Sequence, residues 1–197
     1  MRERVRLAVR ESLLEAAERA VVEEGVEGAS LQSIARRAGV AVGTIYNYFA
    51  DRQELFRELF GQRRDELLHA LDQAMKQTSR GAFDAQLEAF ARAFLAHYDM
   101  RRDFMRVVFA SEPLRLQMMC DKQGRFRPFL NELQSRAERI VRVGVREKRL
   151  REDDVELFAQ IFTGILKGVV ATRIEQRGEL EDAAPRVVEI FCHGAVR

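Results

Sequence analysis

Tryptophan is absent from this chain, and only three prolines and two cysteines occur in its 197 residues. So few prolines leave helices uninterrupted, and a composition rich in Ala, Leu, Glu and Arg favours an all-helical fold. Cys120 and Cys192 are far apart, in neither a metal-ligand spacing nor a disulfide framework, which points to a reducing, intracellular setting. Charge of one sign is lacking too. Thirty-three basic residues stand against 31 acidic ones, and a net charge of +2 does not by itself announce a nucleic-acid partner. The first residues, MRERVRLAVRE, are charged throughout and lack the apolar core of a signal peptide. The longest uncharged apolar stretch, Leu157 to Leu166, is about half of the roughly 20 residues a bilayer span requires. The expectation is a soluble, cytoplasmic protein with no membrane partner.

Motifs for catalysis are missing as well. The chain has no GxSxG, no HExxH and no glycine-rich phosphate loop. His69, His97 and His193 have no obvious nucleophile and carboxylate around them. An enzyme on a helical scaffold is therefore the weakest reading, and no catalytic residue, metal or cofactor is expected. Hydrophobic content of 47% with 32% charge remains ordinary for a folded domain and argues against disorder.

What is present is helical periodicity almost everywhere. Val9, Leu13, Ala17, Ala20 and Val21 form an apolar stripe that Gly25 stops. Ser30 is a good N-cap for a short helix from Leu31 to Ala38, and Gly39 turns the chain into a second one, Val42 to Tyr48. Asp51 with Glu54 makes a capping box for a long fourth helix carrying Leu55, Phe56, Leu59, Phe60, Leu67, Leu71 and Met75. Residues 78–81 are the first composition break. Beyond them come helices on Phe83–Tyr98, Phe104–Phe109 and Pro128–Val141, one opened by an Asp153/Glu156 capping box that runs to about Gln176, and one on Ala183–Ala195. These divide into a reading head at 1–50, a connecting helix at 51–77 and a helical body at 78–197, eight or nine helices in all.

The informative part is residues 30–56, SLQSIARRAGVAVGTIYNYFADRQELF. Two short helices crossing around a tight turn need a small residue at the approach (Ala35) and a left-handed one at the turn (Gly39). Val40 and Ile45 plug the inside, Ile34 and Ala38 complete the inner face, and Phe49 is core. Val42, Gly43, Thr44, Tyr46, Asn47 and Tyr48 are left at the start and outer face of the second helix. A helix-turn-helix places that surface in the major groove.

The run Gly39-Val40-Ala41-Val42-Gly43-Thr44-Ile45-Tyr46-Asn47-Tyr48-Phe49, followed by Asp51-Arg52-Gln53-Glu54-Leu55, resembles the signature of TetR (tetracycline-repressor) regulators. The likeness extends upstream through Ala16-Ala17, Gly25, Gly28, Ser30 and Ile34-Ala35, so roughly the first 60 residues fit; the rest matches in layout, including GVREKRLRED at 144–153. The resemblance implies an N-terminal three-helix helix-turn-helix domain followed by a helical ligand-binding and dimerisation domain. It puts the hydroxyls of Thr44, Tyr46 and Tyr48 on phosphates or base edges, Val42 and Asn47 against bases, and Ser30 and Arg52 on phosphates. Arg52 replaces the family's usual Lys, Ala41 its frequent Ser or Thr cap, and Val42 a basic or polar residue. Over residues 1–52, eight arginines balance eight acids, but the arginines gather at the N-terminal arm, at Arg36-Arg37 and at Arg52. A local basic rim, doubled in a dimer, suffices for salt-sensitive phosphate binding.

The partners implied are a pseudo-palindromic duplex operator, a second copy of the chain and a small apolar effector that releases a repressor from DNA. A body that binds a protein partner, with no small molecule, is the alternative. Candidate pocket residues are Phe94, Tyr98, Phe104, Met105, Val108, Phe109, Met118, Met119, Phe126 and Phe129, with His97 beside Tyr98 to orient a polar group or simply to fill the core. Gly164 and Gly168 put small residues on one helix face, where a partner helix can approach closely. Phe158, Ile161, Ile165, Val187 and Phe191 join them as the expected dimer interface. Cys120, after two methionines, is a candidate redox thiol.

Overall fold

The computed structural model describes residues 2–112, 126–176 and 178–194. Its helices are α1 (Arg2–Gly28), α2 (Leu31–Ala38), α3 (Val42–Tyr46), α4 (Arg52–Gln77), α5 (Phe83–Asp99), α6 (Arg102–Ala110), α7 (Phe126–Arg146), α8 (Val155–Arg173) and α9 (Ala184–His193). Single 3-10 turns precede α8 at Glu152–Asp154 and α9 at Glu181–Ala183, and no strand occurs among the described residues. The chain folds as two compact units, Met1–Arg63 with Asp103–Phe126, and Arg64–Arg102 with Arg127–Arg197.

In the first unit, Gly25 breaks α1 as its sequence suggests, at φ 72 and ψ 179. Ser30 then caps α2, accepting the Ser33 N–H at 3.1 Å, which stabilises the helix by about 1 kcal/mol. Gly39 closes α2 in the left-handed region at φ 69, ψ 29, and the Val40 N–H reaches back to the Ala35 carbonyl at 3.0 Å. The expected capping box of α4 is formed on its forward side, and on its return side Glu54 reaches one residue beyond the cap. The Glu54 N–H donates to Asp51 Oδ1 at 2.6 Å, and the Ala50 N–H donates to Glu54 Oε2 at 2.5 Å. Leu13, Ala17, Ile34, Ile45, Phe49, Leu55, Phe56 and Leu59 are buried as one apolar core. Phe60 stacks between Phe56 and Phe104, with ring centroids 6.4 and 6.0 Å away.

In the second unit the core lies where α5, α8 and α9 meet: Phe162 packs against Phe90 at 5.7 Å and Phe191 at 5.2 Å. Ala82 gives α5 no side-chain cap, and the Glu147 carboxylate accepts the Phe83 N–H at 3.2 Å in its place. Gly144 lets α7 close on α5, since an added methyl would come within 2.9 Å of the Phe83 ring. Helix α8 opens at Val155, behind the 3-10 turn, and Asp154 at its N-cap makes no side-chain capping bond, its carboxylate pairing instead with Arg151 at 3.3 Å. By length and composition α8 could cross a membrane, yet Ala159, Phe162, Thr163, Leu166 and Val170 are buried in the unit's core.

Candidate nucleic-acid interface

Helix α3 is short because both its ends are governed by neighbours. Ala41 offers no side-chain cap, and after Tyr46 the chain tightens, with the Asn47 N–H to Thr44 O at 3.2 Å and the Tyr48 N–H to Ile45 O at 2.9 Å. The helix thus ends two residues before the expected Tyr48. Ile45 is its only buried member and pins it to the core. Around that pin, Gly43, Tyr46 and Asn47 are exposed, Tyr46 by 57%, while Val42 and Thr44 are half-buried. The outer face therefore offers a phenol, an amide, a hydroxyl and a bare backbone at Gly43, where an added methyl would meet no atom within 4 Å.

The orientation of that face is set by an ion cluster absent from the expectations. Glu24, near the end of the straight part of α1, accepts the Ser33 hydroxyl at 2.6 Å and Arg37 Nη2 at 2.5 Å, and pairs with Arg36 Nη2 at 3.2 Å. Arg37 also reaches Glu23 at 2.5 Å. Ser33 and the Arg37 pair hold the Glu24 carboxyl below its ordinary range, the hydroxyl bond being the larger cause. The same carboxylates hold Arg37 more firmly protonated. One signal in the sequence could have found the cluster: Ser33 sits on the buried stripe of α2, and a buried hydroxyl needs a partner.

Arg52, expected on a phosphate, is also engaged inside the first unit. Its Nε donates to the Ala29 carbonyl at 2.8 Å, its Nη2 to the Val26 carbonyl at 2.5 Å, and its guanidinium lies 4.7 Å over the Phe56 ring. Burial lowers its pKa from the usual value. It ties the α1–α2 connection to α4, and two of its nitrogens are thereby committed away from solvent. Ser30 likewise is engaged in capping α2, with its own N–H bonded to Gly28 O at 2.7 Å. Basic charge beside α3 comes instead from α1, where Arg6 lies 5.9 Å over the Tyr48 ring and Arg10 lies 5.4 Å over Phe49 while pairing with Glu58 at 2.9 Å.

The candidate pocket residues are divided between the units. Phe104, Met105 and Val108 are buried and Phe109 half-buried in the first; Phe94 is buried and Tyr98 and Phe129 half-buried in the second. Phe94 and Tyr98 stack at 5.2 Å, His97 meets Tyr98 edge-on at 5.6 Å, and burial pushes the Tyr98 phenol up to about 12. Met118, Met119 and Cys120 lie outside the described residues, as does the Phe126 side chain. Cys192 is no redox candidate by its setting, since burial, then the bond to Asp84 at 3.4 Å, pushes its thiol up to about 11. Of the expected interface, Ile161, Gly164 and Gly168 are exposed, Phe158, Ile165 and Phe191 half-buried, and Val187 is in the core.

Comparison with known proteins agrees with this layout. Residues 13–59 match the family model described as bacterial regulatory proteins, tetR family. The chain is 21% identical to the fatty acid metabolism regulator protein of Bacillus subtilis, over 92% of this chain and 93% of that one. It is 29% identical to the HTH-type transcriptional repressor BepR of Brucella suis, over 87% of this chain and 68% of the repressor. Among solved structures it resembles the Bacillus subtilis regulator FadR in complex with stearoyl-CoA, with a TM-score of 0.76 at 20% identity, covering 94% of this chain and 99% of FadR. At that identity the structural likeness speaks for the fold.

The site yields two expected outcomes. Because Glu24 ionises more readily in the folded chain than its ordinary 4.5, its stabilisation is present above that pH and is lost as the pH falls through the lower folded value. Glu24→Gln should lower the melting temperature at neutral pH and flatten the acid limb of the stability curve, and thermal melts across that range check it. Gly43→Ala should leave melting unchanged or raise stability by up to about 1 kcal/mol, since Ala favours helix and the methyl meets nothing. The same variant should bind duplex DNA more weakly in anisotropy titrations; unaltered binding would remove Gly43 from the interface.

Proposed function

Since the chain belongs to the tetR family of bacterial regulatory proteins, we propose that it is a homodimeric repressor whose α3 helices read a pseudo-palindromic operator and which a molecule with a long apolar chain releases. The carrying observation is the outer face of α3, where exposed Tyr46, Asn47 and Gly43 flank Thr44 while Ile45 anchors the helix. Tyrosine and threonine hydroxyls suit phosphate oxygens, and the Asn47 amide suits an adenine edge in the major groove. Val42 lies where it can meet a thymine methyl.

Dimerisation is supported by α8. Leu157 and Ile161 are 52% and 43% exposed, and Gly164 and Gly168 continue the same face with open space above them. An apolar row with two glycines admits a second helix at close range, and a two-fold pair of these faces is self-complementary. A dimer reading a pseudo-palindromic operator engages half-sites about one helical turn, roughly 34 Å, apart.

The effector reading is supported by the relatives' names and by chain chemistry. One relative is a fatty acid metabolism regulator, and one structural neighbour holds stearoyl-CoA. This chain carries 13 phenylalanines and six methionines, a lining suited to an alkyl chain. A ligand that binds better to the form with wrongly spaced reading heads weakens DNA binding by its differential affinity for the two forms.

Gel-shift titration of the duplex upstream of the chain's own gene tests the reading. A retarded band at low salt that fades with rising salt is expected, together with an affinity at least about tenfold weaker in the presence of a long-chain acyl thioester. Absence of a band at low salt contradicts the DNA-binding reading. A band indifferent to acyl thioesters contradicts the effector reading alone.

A further inference from the structure

An open cleft of about 490 Å³ lies within the second unit, between the C-terminal half of α4 and the C-terminal half of α7. Its walls follow from helical spacing. Arg139, Arg142 and Arg146 stand at i, i+3 and i+7 on α7, and Lys76 and Ser79 face them from the end of α4. Between the two rows, Met75 and Val143 give it an apolar patch and the nearly buried Gln86 of α5 contributes to the lining.

The electrostatics are one-sided. Asp72 is the only acid in the lining, and it is already engaged: Arg136 grips it with Nε at 3.0 Å from Oδ1 and Nη2 at 2.7 Å from Oδ2, and Arg139 adds a contact at 3.3 Å. Among the described residues Arg142 pairs with Glu138 alone, at 3.1 Å. Lys76 and Arg146 have no carboxylate partner among the described residues. A cation in the last turn of each helix complements the helix dipole, which accounts for Lys76 and Arg146 by position. It does not account for Arg139 and Arg142, a turn or more further in, converging on the same hollow.

We propose that this cleft binds a small molecule carrying two or more phosphate groups. Arg139 and Arg146 are separated by about 10 Å along α7, further than the oxygens of one phosphate reach, so a diphosphate or longer anion is needed to engage the whole α7 row. Arginine supplies paired donors to phosphate, and lysine and the Ser79 hydroxyl complete the opposite wall. The hollow has the volume of a small-molecule site. Its positive charge is not continued along α7, because Arg136, one turn before Arg139–Arg142, is taken by Asp72 and by Glu132 at 2.5 Å. A phosphate ridge of a long polymer would run past the basic stretch, so a compact ligand fits better. The inference does not rest on DNA binding by α3.

Titration calorimetry on the full-length protein, without DNA, decides it. Sodium pyrophosphate, adenosine 5′-diphosphate and orthophosphate are the probes, each at low and at high salt. Pyrophosphate and the nucleotide should bind with salt-sensitive affinity and orthophosphate at least about tenfold more weakly; binding of the nucleotide alone would assign the source of the diphosphate to a nucleotide. Lys76→Ala/Arg146→Ala, two exposed positions, should keep the wild-type melting curve and weaken diphosphate binding at least about tenfold. Arg80→Ala, which removes a neighbouring charge outside the cleft, should bind as wild type. Failure of both diphosphate probes at low salt, or equal binding by the double variant, overturns the proposal. So does an equal loss of duplex affinity in the double variant, which would make the cleft a nucleic-acid surface. Operator binding is expected to survive that variant, so this result and the result on α3 are independent.

Discussion

The carboxylate of Glu24 is the constraint on which the reading head depends. Helix α2 carries a buried hydroxyl and two arginines toward α1, and these groups are compatible with close packing only when an anion meets them. Glu24 meets all three, and its ionised form is favoured because it does. Once α2 is fixed to α1, the left-handed turn at Gly39 and the Ile45 anchor leave α3 one way to lie. The tie from Arg52 to the Ala29 and Val26 carbonyls fixes the other side of the connection. A five-residue helix has little stability of its own, so its exposed face is held by its surroundings.

This arrangement explains why the reading head needs no excess of positive charge. Of the arginines in the first 52 residues, Arg37 and Arg52 are consumed in holding helices together, and Arg10 pairs with Glu58. Near the surface remain Arg4, Arg6 over Tyr48, Arg19 beside Glu15, and Arg36, which is largely exposed while it pairs with Glu24. In the second unit the arginines divide similarly. Arg136 braces α7 against α4 through Asp72, while Arg139, Arg142 and Arg146 line an open cleft. Arg136 is held by two carboxylates, whereas Arg139 and Arg142 each meet one and keep donors turned toward the open cleft.

The sequence was most legible where the governing interactions are local. Gly25, the Ser30 cap, the turn at Gly39 and the Asp51/Glu54 box all act within a few residues, and each stands where its residue type suggests. Buried Ile34, Ala35, Ile45 and Phe49 follow from the same spacing. The roles that depend on tertiary approach were not legible. Arg52 reads as a phosphate contact beside a recognition helix, because nothing in its neighbourhood reveals that two carbonyls 23 and 26 residues earlier will face it. Glu24 is one of several glutamates on α1 until α2 folds back. Val187 reads as an interface residue by its place on an amphipathic helix, yet α9 turns it into the protomer core. The basic rows on α4 and α7 each have helical spacing, but their pairing across one cleft needs the fold.

The central claim, that α3 is presented twice to one duplex, is tested most directly by tethering a DNA-cleaving iron chelate to Asn47→Cys in a background with Cys120 and Cys192 changed to serine. Cleavage of the upstream duplex should fall at two symmetric positions about one helical turn, roughly 10 base pairs, apart in the major groove. Cleavage at one position only, or none on a duplex the protein demonstrably retards, would contradict the account.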